Sequence, residues 1–110
     1  MGRGAGRIVV SGSHGGLSSG RFALQAAAAL VAFNDAGVGR DGAGIAGLGL
    51  LEEAGRAACA VSHASARLGV AASSLADGVI SHVNAQALAL GLRPGERLSA
   101  ALDRIAPPLT

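Results

Sequence analysis

A chain of 110 residues can hold one hydrophobic core but not two, so a single domain over residues 1–110 is expected. Half of the chain is apolar, yet only Phe22 and Phe33 are aromatic. The core must therefore be built from small Ala, Val, Leu and Ile side chains, and such a thin core is expected to bury more surface by forming a homo-oligomer. Nine basic residues, all arginines, stand against seven acidic ones for a net charge of +2; without a lysine, Schiff-base chemistry and a Walker-type phosphate site are excluded. The arginines form no basic run, which argues against a nucleic-acid partner.

The first predicted element is the strand "RIVV", running into the loop "SGSHGG" and then a helix over about Ser19 to Ala28, capped by Ser18 or Ser19. The second strand, "ALVAF", leads through "NDAGVGRDG" to a glycine-rich helix over about Ala43 to Ala54, where Asp41 can accept from free amides. A third strand, "AACAV", leads through "SHASARLG" to a helix over about Asp77 to Leu90. A turn at Pro94 and Gly95 then opens a short final helix whose Leu98, Leu102 and Ile105 share one face. Residues 93–110 are expected to pack on the domain or on a neighbouring subunit. Short continuous apolar runs alternating with helices indicate strands covered on both faces. The predicted class is α/β, a small three-layer, Rossmann-like domain with a short, mainly parallel three-stranded sheet flanked by helices.

Two further stretches bear on location. "FALQAAAALVAF" is too short and interrupted to span a membrane, and "MGRGAGRIVV" lacks the apolar segment of a signal peptide, so a cytoplasmic protein is expected. Cys59 lies inside an apolar run, where a buried and inert thiol is the default, and no disulfide can form within one chain.

In a parallel sheet the carboxyl ends of the strands share one edge, and ligands bind in the crevice there. The residues expected at that edge are Ser11, Ser13, His14, Gly15 and Gly16 from the first loop, Asn34, Asp35 and Arg40 from the second, and Ser62, His63, Ser65 and Arg67 from the third. His14 stands among bare glycines and suits general acid or base work, with Asp35 to orient it and His63 as a third candidate catalytic group. The remaining edge residues are candidate ligand contacts. "SGSHGG" is also suited to cradle an anion on successive amides, while Arg40 or Arg67 can hold a carboxylate. No two metal ligands pair at helical or loop spacing, so no metal is expected, and no cofactor is specified.

The order of these pieces resembles the caspase and gingipain fold of cysteine peptidases, in which one strand ends in a Ser-Gly-His-Gly motif and the next in Asp-Ala-Cys-Ser-Gly. Here "SGSHGG" and "FNDAGVG" stand in those places, and "DGVISHVN" is similar to a later Gly-Val-Phe-Thr stretch; the likeness spans about Ile8 to Leu90. The resemblance implies a caspase-like three-layer domain with His14 at the catalytic histidine. It puts Gly37 at the nucleophile position, where the family carries cysteine, so peptidase chemistry of that type is not implied. The "NDAG" and "GVIS" segments also resemble those of small bacterial α/β proteins to which no activity is attached.

The leading expectation is a small α/β module that binds a small polar or anionic metabolite at the carboxyl edge. Two alternatives stand beside it: a hydrolase, lyase or isomerase using His14 as acid or base, and a non-catalytic structural or interaction subunit. Whether the protein is an enzyme is left open by the sequence.

Overall fold

The computed structural model describes residues 8–16, 20–21, 30–37, 42, 45–67 and 70–105, the side chains of residues 12–14 and 105 excepted. In chain order these form β1 (Ile8–His14), β2 (Leu30–Asn34), α1 (Ala46–Glu53), β3 (Ala57–Val61), α2 (Ala71–Asp77), β4 (Ile80–Val83), α3 (Ala85–Ala89) and α4 (Leu98–Ile105). The first predicted helix and the Asp41 cap lie outside the described residues, except for Gly20 and Arg21, which are helical.

The fold is α/β, with one four-stranded sheet in the order β1-β2-β3-β4. β1, β2 and β3 run parallel; β4 runs antiparallel to β3, so the sheet is mixed and has one strand more than the three expected. Alternation along the strands sends successive side chains to opposite faces. Val31, Phe33, Ala58 and Ala60 meet Leu48 and Leu51 of α1 on one face. Leu30, Ala32, Cys59 and Val61 meet Ile80, Ala87, Leu92, Leu98 and Ala101 on the other. Small residues on β3 let helices approach the sheet closely, as a core with few aromatics requires.

The extra strand overturns the helix expected over Asp77 to Leu90. Asp77 is the last residue of α2, Gly78 is extended at φ −63 and ψ 136, and "ISHV" pairs with β3. The β-branched residues Val79, Ile80 and Val83 suit a pleated surface better than a helix. A Cβ on Gly78 would strike Ser74 O and Val61 Cγ1, so only glycine lets the chain pass this close beneath β3. A second close approach joins the first loop to α1: Gly47 N–H donates to Gly15 O at 2.6 Å, and a Cβ on Gly47 would collide with the carbonyls of Gly15 and Gly16. Within "GAGIAGLGLL" it is Gly47 whose bareness serves backbone packing; a Cβ on Gly49 would meet nothing within 4 Å.

After α3 the chain turns back along the start of β4. Gly95 N–H donates to Ile80 O, Ile80 N–H to Glu96 O, and Leu98 N–H to Gly78 O. α4 then buries Leu98 and Ala101 completely in the core beside Val61 and Ile80, and lies against α2. Its outer side is fastened by Arg104, which grips both carboxylate oxygens of Glu96 at 2.7 and 2.9 Å and also donates to Gly91 O. Among the described residues no helix is long and apolar enough to cross a membrane.

Candidate functional site

At the end of β2 the chain makes two successive Asx turns: Asn34 Oδ1 accepts from Ala36 N–H and Asp35 Oδ1 accepts from Gly37 N–H, both at 2.8 Å. Both turn residues are left-handed, Ala36 at φ 51 and Gly37 at φ 77, a conformation that an alanine holds only at a cost. The turn leaves the Asp35 carboxylate in the sheet edge with 4% of the residue exposed.

That carboxylate is the centre of the edge. Oδ1 accepts from His63 N–H at 2.9 Å as well as from Gly37 N–H, and the His63 ring places Nδ1 3.4 Å from the same oxygen. Oδ2 accepts from the Ser81 hydroxyl at 2.7 Å, and His82 Nδ1 lies 4.0 Å from it. Burial raises the Asp35 pKa. The hydrogen bonds from Ser81, from the amides of Gly37 and His63 and from the His63 ring outweigh it, and the carboxyl is held below its ordinary value and ionised at neutral pH. The two imidazoles face outward, with 59% of the His63 side chain and 37% of the His82 side chain exposed.

Each histidine is delivered by a distinct local device. His63 opens the turn after β3, in which the Ser62 hydroxyl accepts from Ala64 N–H while the Ser65 hydroxyl donates to Ser62 O and accepts from Val79 N–H. Its ring rests against the bare Cα of Gly37, within 3.5 Å of where a Cβ would stand. His82 depends on a bulge. One step along β3, Ala60 to Val61, faces two steps along β4, His82 to Ile80, leaving Ser81 as the extra residue. In an unbroken strand residues 81 and 82 would point to opposite faces; the bulge lets both reach Asp35.

Of the other residues expected at this edge, Asn34 is fully buried and joins two loops, its amide donating to Ala66 O at 3.1 Å. The Ser62 hydroxyl is engaged within its turn, and that of Ser65 bridges Ser62 O and Val79 N–H. Ser11 is half-buried on β1, and Arg67 is exposed, its backbone amide donating to Ser73 Oγ. Gly15 and Gly16 are buried, and Gly15 N–H donates to Asn34 O. His14 pairs with Asn34 in the ladder, but its side chain and that of Ser13, like Arg40, lie outside the described part. The structure thus brings Asp35 and His63 together and adds Ser81 and His82, which stand on β4 in the stretch expected to be helical. The signal that would have found them is the β-branched run around "ISHV" followed by Asn84, a strong helix-capping residue.

Among the described residues no group of three or more His, Cys, Asp or Glu side chains is arranged to hold a metal ion. Cys59 is fully buried and burial pushes its thiol up to about 12, so it is no nucleophile at neutral pH. No family model, curated protein or solved structure matches the chain.

Proposed function

We propose that the protein binds a small polar molecule at the carboxyl edge of its sheet, with the rings of His63 and His82 as the groups that touch it. One observation carries the reading: a single buried, ionised carboxylate is held between two half-exposed imidazoles. A carboxylate needed only for the fold would be satisfied by backbone and sealed, whereas Asp35 turns part of its capacity toward side chains that meet solvent. Nδ1 of each ring lies near Asp35 or Ser81, so a ring that carries its proton there offers Nε2 as an acceptor. The amides of Gly15, Gly20, Gly37, His63, Ala64 and Arg67 already donate within the chain. The ionised Asp35 carboxylate behind the two rings disfavours an anion, so the favoured ligand offers hydroxyl or amine protons.

Thermal shift tests this by mass action, since a ligand that binds the folded state alone raises Tm. A panel of a polyol, an ethanolamine-type amine, phosphate and a dicarboxylate is expected to include a hydroxyl or amine compound that raises Tm at millimolar concentration. The rise is expected to be lost in His63→Gln and His82→Gln. A flat response across the panel, or a rise that survives both substitutions, would contradict the site.

For self-association we propose exposed leucines as the contacts. Leu75, Leu88 and Leu90 are each close to half exposed, while the apolar residues Leu98 and Ala101 of α4 are spent on the subunit's own core. A homo-oligomer would form through α2 and α3 rather than through the last helix.

A further inference from the structure

The hydroxyl of Ser81 has one proton and two close partners. Its oxygen lies 2.7 Å from Asp35 Oδ2, 3.0 Å from His82 Nδ1 and 3.3 Å from Ala60 O. A contact of 2.7 Å between a hydroxyl and an ionised carboxylate requires the proton to lie on that line, since two oxygen lone pairs would otherwise repel. The serine oxygen then has only lone pairs to offer His82, and a nitrogen 3.0 Å away must bring its own proton. Three atoms are ordered in this way: Nδ1–H of His82 donates to Ser81, and Ser81 donates to Asp35. The arrangement also rules Ser81 out as a nucleophile activated by His82, because its proton points away from that ring.

We propose that Ser81 is a positioning residue that couples Asp35 to His82 and fixes His82 as the proton-transfer group of the edge, with Nε2 as the working atom. This rests on the reading that the edge binds a ligand, and names what is done to it. An X–H bond of the bound molecule breaks, its electron pair remains on X, and the proton passes to Nε2. Nδ1 keeps its proton, and the positive charge of the imidazolium faces the Asp35 carboxylate through the serine oxygen. Return of the proton from Nε2 to another atom of the ligand restores the ring, so that the step needs no oxidant or co-reactant and suits an isomerisation or an addition–elimination. His63, whose Nδ1 meets Asp35 without an intervening hydroxyl, is independent of Ser81.

The test uses the ligand-free protein, so its outcome is separate from that of the binding experiment. Long-range 1H–15N spectra at about pH 8 report which nitrogen of each ring carries the proton. His82 is expected in the Nδ1–H form. Ser81→Ala is expected to make that form the minor one while leaving the His63 tautomer unchanged, and Ser81→Thr, which keeps a hydroxyl, is expected to restore it. A wild-type His82 protonated on Nε2, or a His82 tautomer indifferent to Ser81→Ala, would overturn the proposal even if a ligand binds. Conversely, the expected tautomers in a protein that binds nothing on the panel would leave the coupling standing and remove the binding reading.

Discussion

Two buried polar residues anchor opposite ends of the same sheet, and they are built in opposite ways. Asn84 follows β4, whose antiparallel course ends beside the start of β3. Its Oδ1 accepts from Ala58 N–H and Ala87 N–H, each at 3.0 Å, and its Nδ2 donates to Arg56 O at 2.8 Å and Leu48 O at 3.2 Å. All four partners are backbone, the residue is 5% exposed, and one side chain thereby caps α3 and ties it to α1 and β3. Asp35 is as deeply buried, yet it is charged, its turn holds Ala36 left-handed, and its side-chain partners are two rings and a hydroxyl that stay accessible. A hub closed by backbone holds the fold; a hub that spends its charge on accessible side chains orients them. Strain and exposure are accepted at one end of the sheet and avoided at the other.

The largest effect is expected from the closed hub. Asn84→Ala leaves two buried amides and two carbonyls without their partner and removes the cap of α3, which should lower stability by about 3 kcal/mol in urea unfolding. A loss comparable to an exposed substitution, within about 0.5 kcal/mol, would break the contrast by showing that water replaces the side chain. Folded Asn84→Ala protein is expected to keep whatever binding the carboxyl edge has, because the residue stands at the other end of the sheet.

Asp35→Asn should cost less, about 1 to 2 kcal/mol at neutral pH, because the amide oxygen can still accept from Gly37 and His63. The sharper signature is its pH dependence. A carboxyl whose pKa in the folded state lies below its unfolded value, near 3.9, contributes stability that is fully present above that value and lost as pH falls through the folded one. The gap between wild type and Asp35→Asn is therefore expected to be present above about pH 4 and to close below it. A gap that persists unchanged into strong acid would mean that Asp35 is not ionised in the fold.

How far the edge was legible in the sequence follows from the same contrast. Parallel strands at "RIVV", "ALVAF" and "AACAV" put Asp35 and His63 at one edge because apolar runs and intervening glycine loops encode the crossovers locally. Gly55, left-handed at φ 75 just past α1, was equally readable as a helix stop. Ser81 and His82 were marked only by the β-branched run around "ISHV" and the cap at Asn84, since "DGVISHVNAQALAL" mixes a four-residue strand with a five-residue helix, and neither is long enough to impose its own period. Because β4 runs antiparallel, its first residues return to the carboxyl edge, where parallel reasoning expects none. The polar residues Asn34, Ser62 and Ser65 look alike in sequence whether they face a ligand or bind their own loop; only the partners of Asn34 Nδ2 and Ser65 Oγ distinguish the two.

The most direct test of the account is to follow the ring signals of His63 and His82 by 1H–13C NMR while the polyol and amine compounds are added to the wild-type protein. The two rings are predicted to shift together, with one saturation curve, while the amide signals around Asn84 stay in place. Shifts confined to residues away from the Asp35 edge, or no movement of either ring with any compound at tens of millimolar, would contradict the assignment of that edge as the functional site.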